Sequence, residues 1–136
     1  MRGRRRLRAD WRSTNKLARQ AELMDVVAKV CDLPVQFRAR GNVSVVQLLE
    51  ESGYRAAPET LSVAAVSAHL HKHPDLIEAW FMYSEDKRTS SGWYISQRSN
   101  GVFEIGQYPE GERISASGRV PACAEFIVRE VRSIAG

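Results

Sequence analysis

Three histidines within five residues are the most conspicuous group of side chains that could do chemistry in this sequence. They are His69, His71 and His73. On a helix, residues four apart share a face, so His69 and His73 would lie together while His71 points elsewhere. Two imidazoles could begin a zinc site, but no H-E-x-x-H arrangement and no local cysteine supplies further ligands. We therefore expect solvated histidines in the last helical turn, where the helix dipole favours positive charge, and no bound metal or other cofactor.

The sequence contains no recognisable catalytic signature. It has no glycine-rich phosphate loop, no G-x-S-x-G nucleophile elbow and no kinase motif. Cys31 and Cys123 lie in different apolar segments and form no C-x-x-C pair. This favours buried reduced thiols over a disulfide or a nucleophile, and reduced thiols are typical of the cytoplasm. We predict a cytoplasmic protein that is not an enzyme.

A second group of polar side chains lies between two aromatic-rich segments. Residues 84–92 combine four hydroxyl groups with four charged side chains, namely Glu85, Asp86, Lys87 and Arg88. Loops held on a rigid scaffold often carry recognition residues, so these four are candidates for docking a partner by charge and hydrogen bonding. The alternative is a solvated loop whose charges cancel.

The charge of the chain is divided unevenly along its 136 residues. Residues 1–41 carry eleven Lys and Arg against four Asp and Glu, a net charge of +7. Residues 42–136 carry nine against twelve, a net charge of −3, so the overall +4 is the sum of opposite parts. This division excludes a uniformly basic nucleic-acid-binding domain. The acidic part weakly favours a basic partner.

The first twelve residues form an arginine-rich arm that contains six arginines. Like charges repel, so we expect the arm to be disordered. It has three interpretations: a solvated tail, a contact with an acidic partner, or a tether for nucleic-acid phosphates. The tether would use Arg4, Arg5, Arg6 and Arg8. Because Trp11 is the only aromatic residue of the arm, the sequence offers little support for base stacking.

Hydrophobic spacing divides the chain into a basic extension, residues 1–41, and a single domain, residues 42–136. The extension contains a predicted helix over about 13–31, which Pro34 closes, and then a linker over 37–42 that breaks at Gly41. The domain begins with two predicted helices. The first ends at Gly53, and the second ends before Pro74.

The pattern then changes to the alternation typical of strands. Residues 77–83 predict a strand or a helical turn leading into one, and 93–98 and 102–108 predict a hairpin. A three-residue turn with Gly101 left-handed would pair Ile95 with Ile105 and place Trp93 on the same apolar face. Tyr94 and Tyr108 would then lie on the opposite face, where exposed rings are candidates for binding a partner.

The remaining segments complete an α+β prediction. A short fourth strand is possible near 112–115, and 120–134 predicts a helix with Pro121 at its first position. The expected architecture is therefore two N-terminal helices, a three- or four-stranded antiparallel sheet, and a C-terminal helix packed on that sheet. No run approaches 18 apolar residues, so we expect no membrane span.

Five segments between residues 45 and 131 follow one another in a recognisable order: LLEESGY (48–54), HPDLIEAW (73–80), SEDKRTSSGWYI (84–95), GVFEIGQY (101–108) and ACAEFIVREV (122–131). In this order they resemble a family of small bacterial immunity proteins of polymorphic and contact-dependent inhibition toxin systems. The resemblance implies a non-enzymatic, cytoplasmic protein that binds and neutralises a cognate toxin, with a basic nuclease as one candidate. The alternative is a nucleic-acid-associated protein that uses the arginine-rich arm.

Overall fold

A computed structural model describes residues 2–86 and 92–136, and their side chains from residue 16 onward. The elements in chain order are α1 (Arg2–Cys31), α2 (Leu33–Arg40), α3 (Val45–Ser52), α4 (Val63–Lys72), α5 (Asp75–Asp86), β1 (Gly92–Ser99), β2 (Val102–Tyr108), β3 (Arg113–Ser117) and α6 (Arg119–Ala135). Two short 3₁₀ turns, Tyr54–Ala56 and Pro58–Thr60, connect α3 to α4. The fold is α+β, as the sequence predicts.

The three strands form one antiparallel sheet in the order β1-β2-β3. Ile95 pairs with Ile105, and the register shifts between Gln97 and Ser99, which confirms the predicted bulged turn. Gly101 is left-handed, with φ of 70°. The possible fourth strand near 112–115 is β3, the third strand of the sheet.

One face of the sheet is covered, and α6 packs on it with its apolar side. Trp93, Ile95, Phe103 and Ile105 are all buried on this face, in agreement with the predicted hairpin. They join a core that includes buried α6 residues, namely Cys123, Phe126, Ile127 and Val131. Since α6 begins at Arg119, Pro121 is its third residue and not its first, but it still lies in the turn that needs no N–H donor.

Residues 77–83 lie in α5, so of the two alternatives for this segment the strand is wrong and the helical turn is closer, although the helix is about three turns long. The residues of α5 that are buried are Leu76, Ile77, Trp80 and Ser84, which recur at helical spacing on one side. Strand alternation would instead have buried every second residue. Two carboxylates in the first turn, Asp75 and Glu78, also suit the start of a helix.

The N-terminal region is more helical than predicted. The predicted end of the first helix at residue 31 is confirmed, but α1 begins at Arg2 and includes the arm that was expected to be disordered. Arginine, alanine and leucine are good helix formers, and extending an existing helix needs no new nucleus. The predicted linker is also helical as far as Arg40, with Pro34 in the first turn of α2.

The hydrophobic core extends across residue 42. Val27, Val30 and Cys31 at the end of α1, and Leu33 at the start of α2, are buried in the same cluster as Leu49. The indole Nε1 of Trp80 donates a hydrogen bond to the carbonyl oxygen of Cys31 at 2.8 Å. This bond joins the end of α1 to the centre of α5.

Candidate functional site: the groove between α2 and α5

An open groove of about 1030 Å³ runs between α2 and α5. Its wall on α2 includes Val35, Phe37 and Arg38, and its wall on α5 includes Ala79 and Met82. The side chains of Val35, Phe37 and Met82 are 39%, 44% and 45% exposed. Three large apolar side chains therefore meet water in one concave place, which is the usual character of a recognition surface.

The backbone of α2 is held at both ends, which positions Val35 and Phe37. Leu33 and Pro34 at its start are buried. At its other end Gly41 adopts φ of 70°, and its N–H donates to the carbonyl oxygen of Phe37 at 3.2 Å. A left-handed residue here closes the helix at little cost because glycine lacks a Cβ.

The other wall, α5, is attached to the sheet through Ser84. The Ser84 hydroxyl accepts a hydrogen bond from the backbone N–H of Ile95 at 2.9 Å and lies 3.3 Å from the carbonyl oxygen of the same residue. Ser84 is buried, so this double contact fixes the last turn of α5 against β1. The groove is therefore built on rigid elements.

The edge of the groove is acidic. Asp75, Glu78 and Asp86 line it, and Arg38 is the single basic residue among the lining side chains that the structure describes. Arg38 lies 3.7 Å from a carboxylate oxygen of Asp86 and touches the sulfur of Met82, while Glu78 pairs with Arg119. The whole of α5 carries four carboxylates and no basic residue.

One polar group at the base of the groove is tied to the core. The Tyr83 hydroxyl donates to Oε2 of Glu130 at 2.6 Å, and Glu130 is almost fully buried. Burial, with the neighbouring Glu130 carboxylate, raises the pKa of Tyr83 well above its usual range. Tyr83 therefore stays protonated and acts as a hydrogen-bond donor.

The predicted docking residues of the 84–92 loop divide between two situations. Glu85 and Asp86 lie in the last turn of α5, where both are exposed and Asp86 lines the groove. Lys87 and Arg88 lie outside the described residues. The first three residues of the predicted loop are therefore helical, and one of them, Asp86, lines the groove.

The two predicted tyrosines lie elsewhere, on the outer face of the sheet. The Tyr94 hydroxyl donates to Oε2 of Glu104 at 2.8 Å, and Arg98 binds the same carboxylate. The Tyr94 ring also crosses Gly106, where an added Cβ would come within 2.7 Å of the hydroxyl oxygen. Tyr108, at the end of β2, is exposed. The structure thus separates the tyrosines from the acidic end of α5.

A smaller cleft of about 510 Å³ lies where α6 meets β1. The guanidinium of Arg129 lies over the Trp93 ring at 5.0 Å and also pairs with Glu112 and Glu125, at 3.1 and 3.3 Å. Because these contacts already engage Arg129, one of the two arginines that line the cleft, the cleft is a weaker candidate for a binding site than the groove.

The histidines lie where the sequence places them, in and just after the last turn of α4. The rings of His69 and His73 are 4.5 Å apart. Burial, and then the neighbouring His73, lowers the pKa of His69. Among the described side chains, residues 16–86 and 92–136, no three from His, Cys, Asp or Glu cluster in a way that could hold a metal ion.

Both cysteines are buried and unpaired, as the sequence predicts. Burial raises the pKa of the Cys31 thiol to about 12, and that of Cys123 to about 12. A thiol with so high a pKa is a poor nucleophile at neutral pH. The arginines proposed for nucleic-acid contact, Arg4, Arg5, Arg6 and Arg8, lie on the α1 backbone, and their side chains are outside the described set.

Sequence reasoning missed Val35, Phe37 and Met82. The signal was present: Val35 follows Pro34, Phe37 begins the stretch that was predicted to be a linker, and Met82 lies on the side of a helix opposite its buried residues. The incorrect assignments of α2 and α5 concealed these residues, because a linker has no defined face and a strand would place Met82 on a different face.

Comparisons of this chain with protein-family models, with curated proteins and with solved structures find no match. Among the described helices, none combines the length and the apolar character needed to cross a membrane.

Proposed function

We propose that this protein is a non-enzymatic binding domain that holds an amphipathic, basic helix of a partner protein in the groove between α2 and α5. The observation that carries the proposal is the cluster of exposed Val35, Phe37 and Met82 in one concave surface. Burying such side chains contributes about 25 cal/mol per Å² of apolar area removed from water. Methionine adapts to varied apolar partners, which suits a recognition surface.

The charge of the edge defines the kind of helix that fits. Asp75 and Glu85 have no ion pair within the described part of the chain, and α5 as a whole is acidic. A partner helix with Lys or Arg beside its apolar stripe would pair with these carboxylates and would be attracted from a distance. The same edge would repel nucleic-acid phosphates, so the nucleic-acid alternative would depend on the arm.

The resemblance to immunity proteins supplies the biological context of the proposal. In that context the partner is a cognate bacterial toxin, and occupation of the groove neutralises it. A basic nuclease would meet the charge requirement. The expected biological result is that cells expressing this chain survive a toxin encoded beside its gene, and that cells expressing a Met82→Asp variant do not.

The direct test uses two synthetic helical peptides with the same leucine stripe. One carries lysines on its remaining positions and the other carries glutamates, and binding is measured by fluorescence anisotropy. We expect the lysine peptide to bind at least about tenfold more tightly, and salt to weaken it. Equal binding of both peptides, or of neither, would contradict the proposal.

The control distinguishes the groove from exposed apolar surface in general. Met82→Asp places a charge in the groove, whereas Val46→Asp places one on α3, where Val46 is 49% exposed and lies outside the groove lining. We expect Met82→Asp to abolish peptide binding and Val46→Asp to leave it within about twofold, with circular dichroism unchanged in both. If both variants bind equally well, the groove is not the site.

A further inference from the structure

The first described side chains of α1 form an unpartnered helix surface. Every side chain from Lys16 to Glu22 is exposed, and α1 enters the core only at Val27. Leu17 and Met24 are each 65% exposed. At a rise of 1.5 Å per residue, Leu17 lies roughly 21 Å along the helix axis from Cys31, so this part of α1 projects away from its own core.

The exposed residues of this segment follow a pattern suited to a groove. Leu17, Ala21 and Met24 are spaced i, i+4 and i+7, which places them in one stripe along α1. That is the spacing of the anchor residues by which amphipathic helices bind apolar grooves. Lys16 and Arg19 flank the N-terminal part of this stripe, and Glu22 and Asp25 flank its C-terminal part. The helix as a whole is basic, with nine Lys and Arg against three Asp and Glu.

We propose that α1 of a second copy of this chain occupies the groove between α2 and α5, so that two copies exchange helices and each blocks the groove of the other. The occupant has the chemistry required of a partner, an apolar stripe beside basic residues. Its own chain leaves it exposed, and the groove is likewise open. The charges are complementary, since α1 has a net charge of +6 and α5 of −4.

Reciprocal exchange gives a closed, two-fold dimer with two identical helix-in-groove contacts. This inference rests on the proposed function, because the dimer would be a form of the binding domain in which both grooves are occupied. A partner helix would have to displace α1 of the second copy, which would set a threshold for partner binding. Pairing of two α1 helices with each other is disfavoured, since each carries the same large positive charge.

The first test measures the mass of the full chain by light scattering after size exclusion, at about 50 mM and about 500 mM NaCl. We expect a dimer at low salt that dissociates at high salt. Two variants should each give a monomer at low salt: Leu17→Gln with Met24→Gln in α1, and Met82→Asp in the groove. Ala18→Gln, on another side of α1, should remain dimeric. A chain that is monomeric at both salts would overturn the inference.

The decisive test mixes the two monomeric variants. The groove variant keeps an intact α1 and the α1 variant keeps an intact groove, so one contact can still form, and the mixture should give a heterodimer. A mixture that stays monomeric overturns the exchange. A dimer that survives Met82→Asp but not the α1 variant also overturns it, and indicates pairing of α1 with α1.

The α1 variant also separates this inference from the proposed function. Its groove is free, so it should bind the lysine peptide more tightly than the unmodified chain does. If the unmodified chain is monomeric and binds the peptide as tightly as the variant, the proposed function stands and the exchange fails. If the variant does not bind the peptide, the proposed function itself fails.

Discussion

The groove between α2 and α5 and the outer face of the sheet are both exposed, but they differ in what their side chains already contact. On the sheet, Tyr94, Arg98 and Glu104 bond to one another. In the groove, Phe37 and Met82 present apolar surface that nothing described in the chain covers. A partner on the sheet would have to replace hydrogen bonds with equivalent ones, whereas a partner in the groove would gain from removing apolar surface from water.

The comparison distinguishes exposed residues that already bond within the fold from exposed residues that have no such contact. Tyrosine and arginine are frequent hot spots, yet Tyr94 and Arg98 on the sheet already bond to Glu104. Exposure by itself therefore does not identify a binding surface. What distinguishes the groove is that its exposed atoms have no better contact in the described chain.

The largest loss of stability is expected at Ser84, whose hydroxyl joins α5, a wall of the groove, to β1 of the sheet. Ser84→Ala removes the hydroxyl that accepts from the Ile95 N–H, leaving a buried donor without its partner. We expect a loss of about 1–3 kcal/mol in the free energy of unfolding, measured by urea denaturation. Ser96→Ala on the outer face of the same strand should change it by less than about 0.5 kcal/mol. Equal effects would show that Ser84 does not clamp α5 to β1.

A smaller effect on stability is expected on the sheet face, at Gly106. An alanine there would displace the Tyr94 side chain, whose hydroxyl oxygen lies 2.7 Å from the added Cβ, and would break the bond to Glu104. We expect Gly106→Ala to destabilise the protein by about 1 kcal/mol, with a coupling to Tyr94→Ala of at least about 0.5 kcal/mol. In the Tyr94→Ala background the same change should be neutral or stabilising, since alanine suits a strand better than glycine. Additive effects would contradict this packing.

Much of the fold is readable from the sequence where one interaction dominates. The hairpin register followed from placing Trp93, Ile95, Phe103 and Ile105 on one face, and Gly53 ended α3 because only glycine readily adopts its φ of 84°. The strand interpretation of residues 77–83 failed because this segment is rich in aromatic residues, whose local preference for strands is overridden when one side of a helix can be buried. The choice depends on tertiary contacts, such as that of Trp80 with Cys31.

The site was harder to predict from the sequence than the fold. Asp86 was predicted because it is charged and lies near a loop. Phe37 and Met82 form one surface only because the fold places α2 beside α5. The contact between Arg38 and Met82, for example, joins residues 44 positions apart in the sequence. No local pattern encodes that juxtaposition. Conversely, Tyr94 was correctly placed on the outer face, but its partner Glu104 depends on the register and the side-chain geometry together.

The bonded sheet face should respond to acid through Glu104. Hydrogen bonds from Arg98 and then Tyr94 hold the pKa of Glu104 below its ordinary value. The folded state therefore binds this proton less readily, so the stabilisation from Glu104 is complete above about pH 4.3 and is lost as the pH falls through the lower folded pKa. The destabilisation by Glu104→Gln should be measurable at pH 7 and should shrink toward pH 3.

The smallest effect on stability is expected in the groove itself, where the effect on binding is largest. Met82 is 45% exposed and projects from the side of α5 opposite the core, so Met82→Gln should change the free energy of unfolding by less than about 0.5 kcal/mol. Urea denaturation should be carried out at high salt, so that the chain is monomeric and no occupant contributes to the measured value. The lysine peptide should nevertheless bind this variant several-fold more weakly. A large loss of stability would mean that Met82 belongs to the core. The groove would then no longer differ from the sheet face, whose side chains already have hydrogen-bond partners, in having exposed apolar side chains without contacts.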